Sequence, residues 1–178
     1  MPDAVRTVPT WEMRRRLRER PAGRPAMYQT WSDLLFAHWR VEPEHVQRTL
    51  PKGLYVDTLD GAAYVGVVPF FMRNIRPRGL PAVPGISSFL ELNVRTYVHD
   101  EAGTPGVWFY SLDCNQPLAV WTARTLFHLP YRHARMSAER SGTAIAYAST
   151  VRGTSLRCDV TYALQRETAE ARPESLEF

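Results

Sequence analysis

Apolar and polar positions alternate along much of this 178-residue chain, and the alternation predicts strands more often than helices. From Phe89 to Asp113, two stretches rich in β-branched and aromatic residues flank His99 to Gly106, a connector of turn-forming residues. This pattern predicts a β-hairpin with a longer loop. Along its first strand Leu90, Leu92, Val94, Thr96 and Val98 share one face. Glu91, Asn93, Arg95 and Tyr97 share the other, because successive side chains point to opposite sides. Matching polar to polar across the hairpin sets Phe109, Ser111 and Asp113 beside that row, with Asp113 near Asn93 and Ser111 near Arg95. The opposite parity sets Trp108, Tyr110 and Leu112 against Glu91 and Arg95, a poorer match. Glu91 and Arg95 stand four residues apart, about 13 Å along a strand, so each needs a partner other than the other.

The remaining pattern surrounds this hairpin with further strands. Trp31 to Trp39 reads as a strand, and Pro43 opens a short helix that Pro51 stops. Asp60-Gly61, between Leu54 to Leu59 and Ala62 to Phe71, is the strongest short hairpin signal in the chain. The second of these segments is apolar on both faces, with Pro69 marking a bulge or a strand end. Arg73 to Gly85 is expected to be a long loop, either solvated or using Arg73, Arg76 and Arg78 to meet an acidic ligand. Asn115 and Pro117 open a helix through about His128, with Leu118, Trp121, Thr122, Thr125 and Leu126 on one stripe, and Pro130 ends it. Three strands follow, Arg132 to Arg140, Thr143 to Val151 and Ser155 to Leu164, joined by Ser141-Gly142 and Arg152-Gly153. The last presents Leu156, Cys158, Val160, Tyr162 and Leu164 inward. Glu174 to Phe178 reads as the start of another helix. The fold class is mainly β, with a few peripheral helices.

Charge separates the chain into two parts. Residues 1–25 carry seven arginines against Asp3, Glu12 and Glu19, which accounts for the whole net charge of +4. They read as an Arg-rich flexible arm, solvated or loosely docked through Trp11 and Leu17, or touching phosphates or anionic lipid. Residues 26–178 form one electrically neutral domain, which argues against nucleic acid as its partner. No apolar run approaches the roughly 18 residues of a membrane span, and no signal-peptide core is present, so a cytoplasmic protein without a membrane partner is expected. Cys114 and Cys158 lack His or Cys neighbours at ligand spacing and read as buried thiols, so no metal is expected. No dinucleotide, P-loop, nucleophile-elbow or zinc-protease motif occurs, and no cofactor is expected. A homo-oligomer is left open.

Candidate chemistry centres on the polar row. It is either the wet side of a half-buried sheet or the lining of a chamber in which a few polar groups hold a small organic ligand. Trp31 to Trp39, Leu50 to Leu54 with Asp57 to Gly61, Val68 to Phe70, Glu91 to Tyr97, Gly106 to Asp113 and Leu129 to Tyr131 fit one pattern in order. Together they resemble the YqjF-like family of bacterial proteins of unknown function, within the acetoacetate decarboxylase-like superfamily. The resemblance runs from about Met27 to Phe178. It implies a strongly bent antiparallel sheet forming a cone or barrel with a ligand cavity inside, lined by the row. The family continues several dozen residues past a segment like Pro173 to Phe178, so a C-terminally short chain is expected.

Acetoacetate decarboxylase forms a Schiff base through a lysine. Here Lys52 is the only lysine, in a polar turn after Pro51, so imine catalysis is not expected. Arg95 then supplies a fork for a carboxylate or phosphate. Asn93, Tyr97, Ser111, His38 and Tyr131 complete a hydrogen-bonding shell, although His38 among apolar neighbours also reads as a satisfied core histidine. Glu91 and Asp113 are the candidate general acids or bases of a lyase or hydrolase. The competing readings are a polar network that only holds the sheet together and a partner-binding protein acting through the arm.

Overall fold

Strands dominate, as the alternation demands. A computed structural model describes residues 7–19 and 22–163. In chain order these form α1 (Trp11–Arg18), β1 (Met27–Ser32), β2 (Ala37–Val41), α2 (Pro43–Gln47), β3 (Tyr55–Val56) and β4 (Ala63–Pro77). Then come β5 (Phe89–His99), β6 (Pro105–Cys114), α3 (Pro117–Leu126), β7 (Tyr131–Ser141), β8 (Ala144–Val151) and β9 (Arg157–Ala163). The strands join one sheet in the order β1-β4-β5-β6-β7-β8-β9, with β2 on the first part of β4 and β3 on the end of β5. Pairing is antiparallel except between β6 and β7, which run parallel from Leu112–Cys114 against Tyr131–His133. A parallel neighbour requires a crossover, and α3 supplies it. The sheet is therefore mixed, where the sequence suggested an antiparallel one.

The sheet folds back on itself. Val67, Phe71, Leu90, Leu92 and Val94 pack against Met136, Ile145, Tyr147, Val160 and Tyr162, from strands well separated in the sheet order. Each fully buried side chain of this size stabilises the bend by roughly 2 kcal/mol. The buried Tyr147 hydroxyl points its proton at the carbonyls of Glu91 and Phe70, 2.9 and 3.1 Å away. At the rim, the Asp33 carboxylate takes Arg73 and Arg140, and its carbonyl accepts the Tyr162 hydroxyl at 2.6 Å. Among the described residues the sheet is strongly bent but not closed by strand pairing.

Several local expectations change. Trp31 to Trp39 is two strands, broken at Asp33, whose φ of 55° lies in the left-handed region that Asp tolerates. Pro69 sits inside β4, paired with Leu92. Its carbonyl accepts from Leu35 N between the β1 and β2 segments, on the edge where its missing N–H also falls, so the ladder to β5 loses nothing. The expected loop from Arg73 is strand as far as Pro77, with Arg73 on Ser32 and Asp33 and Arg76 over the Tyr28 ring. The Asp60-Gly61 turn forms with positive φ at both residues, but β3 pairs with β5 instead of β4. α3 buries Val120, while Leu118, Trp121 and Leu126 are exposed, because its inner side packs on Cys114 and Phe70. In β9, Cys158, Val160 and Tyr162 face inward and Leu156 is exposed. Leu164 and Glu174 to Phe178 lie outside the described residues.

The arm docks by charge. Thr10 Oγ1 caps α1 by accepting from Met13 N at 3.3 Å, and Arg14 grips the buried Asp57 with two hydrogen bonds of 2.6 and 2.7 Å. Trp11 and Leu17, the expected anchors, remain exposed. Among the described residues no helix is long and apolar enough to cross a membrane.

Candidate functional site

Register decides which side chains meet. β5 and β6 pair as Glu91 with Cys114, Leu92 with Asp113, Asn93 with Leu112 and Val94 with Ser111. Beyond a bulge they pair as Arg95 with Phe109 and Tyr97 with Val107. Paired residues share a face. Asp113 and Ser111 therefore lie with Leu92 and Val94, on the side away from the polar row, against the parity read from the sequence. The cause is the extra residue Tyr110, which reverses the alternation between Phe109 and Ser111. Its hydroxyl is fastened to Thr49 Oγ1 at 2.6 Å.

The row itself holds together as read. Glu91, Asn93, Arg95 and Tyr97 lie on the face opposite the Leu92–Tyr147 core. α3 and β7 cover that face at the Glu91 end, and Phe36 and His38 cover it at the Arg95 end. The inside of the bend, where the sequence placed the row, is filled with apolar side chains.

At one end Glu91 is 3 % exposed, and the Tyr131 hydroxyl donates to its Oε2 at 2.8 Å. Burial raises the Glu91 carboxyl to about 7, while the Tyr131 bond pulls it down. Burial, and then the charge of Glu91, raises Tyr131 above the ordinary phenol value. The neighbouring Cys114 thiol, also buried, is pushed up to about 12 and is inert at neutral pH. In the middle, Asn93 is buried and its Oδ1 accepts no hydrogen bond among the described residues.

At the other end the Arg95 guanidinium lies over the rings of Phe36 and Tyr97, 5.2 and 5.6 Å from their centres. Its Nη2 donates to the Tyr97 hydroxyl at 3.3 Å, and its buried Nε has no partner among the described residues. His38 Nε2 meets the same hydroxyl at 2.7 Å. Burial, and then the Arg95 charge, holds His38 below the ordinary imidazole value, with a backbone bond at Phe36 acting the other way. Gly66 pairs with both His38 and Arg95, and a Cβ there would stand 3.0 Å from His38 Nε2. A glycine inside an apolar strand signals such a close approach. That signal was available in the sequence, whereas nothing there singled out Phe36.

Asp113 has a different setting. Arg132 Nη2 and Nε reach its Oδ1 at 2.6 and 2.7 Å, and Ser149 Oγ donates to Oδ2 at 2.9 Å. Both oxygens are taken by groups from β7 and β8, so the carboxylate clamps three strands. Ser111 is buried on the same face. Lys52 is exposed in the turn after α2. A groove of ≈ 380 Å³ between α3 and β7 is lined by Pro117, Val120, Trp121, Arg124, Thr125 and His133 and by none of the row. Among the described residues no three His, Cys, Asp or Glu side chains are grouped to hold a metal. The row thus combines a carboxyl poised near neutrality, a permanent cation framed by two rings, and an imidazole–phenol pair.

Comparison with known proteins adds a lineage and a fold. Residues 28–178 match DUF2071, described as an uncharacterized conserved protein. The uncharacterized protein YqjF of Bacillus subtilis strain 168 is 48 % identical over 129 residues, 72 % of this chain. Those residues are 53 % of YqjF, so the chain spans about half the length of this relative. The enduracididine biosynthesis enzyme MppR, complexed with pyruvate, superposes with a TM-score of 0.64 at 18 % identity, over 87 % of this chain and 63 % of that one. Acetoacetate decarboxylase from Legionella pneumophila gives 0.59 at 13 % identity, over 78 % of this chain and 50 % of that one. At these identities the structures share architecture alone. The chain belongs to the DUF2071 family, built on the acetoacetate decarboxylase-like fold that its sequence resembles.

Proposed function

We propose that this chain binds a small organic acid on the polar face of β5, with the carboxylate held by Arg95. One observation carries the reading: Arg95 Nε and Asn93 Oδ1 are buried, lack hydrogen-bond partners among the described residues, and stand two residues apart on one face. An unmet buried polar group costs about 1–3 kcal/mol, and such exceptions call for a ligand, water or catalytic explanation. The guanidinium fork matches a carboxylate, and the flanking Phe36 and Tyr97 rings hold it in one orientation. MppR, on the same fold, is complexed with pyruvate, which supports a ligand of this size and charge. Without a lysine on the row, the acid is held non-covalently.

Thermal unfolding in the presence of small mono- and dicarboxylates tests the reading. The wild-type protein is expected to gain stability with at least one acid. Arg95→Ala should lose that gain, and Arg95→Lys, which keeps charge without the fork, should retain part of it. An undiminished gain in Arg95→Ala removes the proposal.

A second reading, acid–base turnover as a lyase or hydrolase, is favoured by the Glu91 carboxyl at about 7, matched to proton transfer at neutral pH. Asp113 does not serve this reading, because both its oxygens are engaged on the opposite face. Turnover of any bound acid should vanish in Glu91→Gln with folding intact, and activity surviving that change excludes Glu91 as the acid or base.

A further inference from the structure

The two unmet atoms also specify the second functional group of the ligand. Arg95 Nε–H is a donor and Asn93 Oδ1 an acceptor. Their backbones lie about 6.6 Å apart along β5. A molecule that satisfies both presents an oxygen to Arg95 and an O–H or N–H to Asn93. A carboxylate with such a donor on the adjacent carbon suits this spacing, since its two polar groups lie about 2.7 Å apart and two hydrogen bonds of about 2.8 Å, bent rather than in line, span up to about 8 Å. A 2-oxo acid instead turns a carbonyl oxygen toward the Asn93 oxygen, acceptor against acceptor. An α-ammonium would stand beside the Arg95 guanidinium, and Glu91 is the only carboxylate on the row. A hydroxyl meets neither conflict. The Phe36 ring, 52 % exposed, lies 5.2 Å from the guanidinium and covers it on one side.

Resting on the small-acid reading above, we infer that the ligand is a 2-hydroxy acid, its hydroxyl donating to Asn93 while Arg95 holds the carboxylate. The preference is built from an acceptor left unmet among the described residues, so the analogue lacking the donor is rejected by more than a mere loss of contact.

Calorimetric titration of the full chain with three acids of one skeleton, 2-hydroxy-3-methylbutanoate, 2-oxo-3-methylbutanoate and valine, tests this. In the wild type the hydroxy acid is expected to bind at least about tenfold tighter than the other two. Asn93→Leu should level the hydroxy and oxo acids while still binding both, and Asn93→Asp, which keeps an acceptor, should retain the preference. Melting curves confirm that each variant folds, and should Asn93→Leu fail to fold, the wild-type ratio and Asn93→Asp decide. Equal affinities in the wild type, tighter valine, or a preference untouched in Asn93→Leu overturns the inference and leaves the Arg95 reading standing. Binding of none of the three, while other carboxylates stabilise the protein through Arg95, overturns it too. Acids that bind Arg95→Ala as well as wild type overturn the small-acid reading itself.

Discussion

Glu91 and Asp113 are carboxylates on paired strands, each 3 % exposed, yet the fold treats them oppositely. Asp113 is met by a guanidinium and a hydroxyl that occupy both its oxygens. Among the described residues Glu91 receives one phenol and no cation, and burial raises it to about 7. Equal burial therefore does not mean equal role. A buried charge that is compensated ties structure together, whereas one that is not becomes a proton-exchanging group. The same contrast separates the two faces of β5: one side is filled and satisfied, and the other keeps the unmet atoms of Asn93 and Arg95.

The contrast can be broken most forcefully at the clamp. Asp113→Ala strands Arg132 and Ser149 and unties β6, β7 and β8, and is expected to destabilise the protein by about 4 kcal/mol in urea unfolding. A loss under about 1 kcal/mol would mean that the bend does not depend on the clamp.

The next largest effect is pH-dependent and belongs to Glu91. Folded Glu91 keeps its proton up to about 7, against an ordinary value of 4.5. Between those values the unfolded chain binds fewer protons than the folded one, so this group makes stability fall as pH rises through that window and level off above it. The shift corresponds to about 3 kcal/mol at most. Glu91→Gln should remove this slope and leave the protein comparatively more stable at pH 8 than at pH 4.5. A wild-type-minus-variant difference that does not change with pH would erase the distinction between the two carboxylates.

Smaller effects are expected at Asn93 and Gly66. Asn93→Leu deletes an unmet acceptor and should raise stability by about 1 kcal/mol in thermal unfolding, opposite in sign to truncation at Asp113. A comparable loss would show that Asn93 is satisfied after all. Gly66→Ala presses a methyl against His38 and should cost under about 1 kcal/mol. Displacing the ring from its place beside Arg95 should move the His38 titration upward by NMR. An unmoved titration would mean that the ring tolerates the methyl in place.

Whatever depends on one strand at a time is legible in the residue order. Alternation from Phe89 to His99 identified the row of Glu91, Asn93, Arg95 and Tyr97, because backbone geometry alone sends alternate side chains to opposite sides. The single lysine removed imine chemistry from the expectation, and the ordered motifs pointed to the family. Tertiary structure decided everything that needs a second segment. The bulge at Tyr110, held to Thr49, reversed the face of Ser111 and Asp113. Arg132 and Ser149 reached Asp113 from β7 and β8 only after the crossover through α3. Pairing of β2 along Gly66 brought His38 and Phe36 to Arg95 from nearly 60 positions earlier in the chain. Periodicity is a local property of the chain, but which strands meet, in what register and around what core is set by burying surface that lies far apart in sequence.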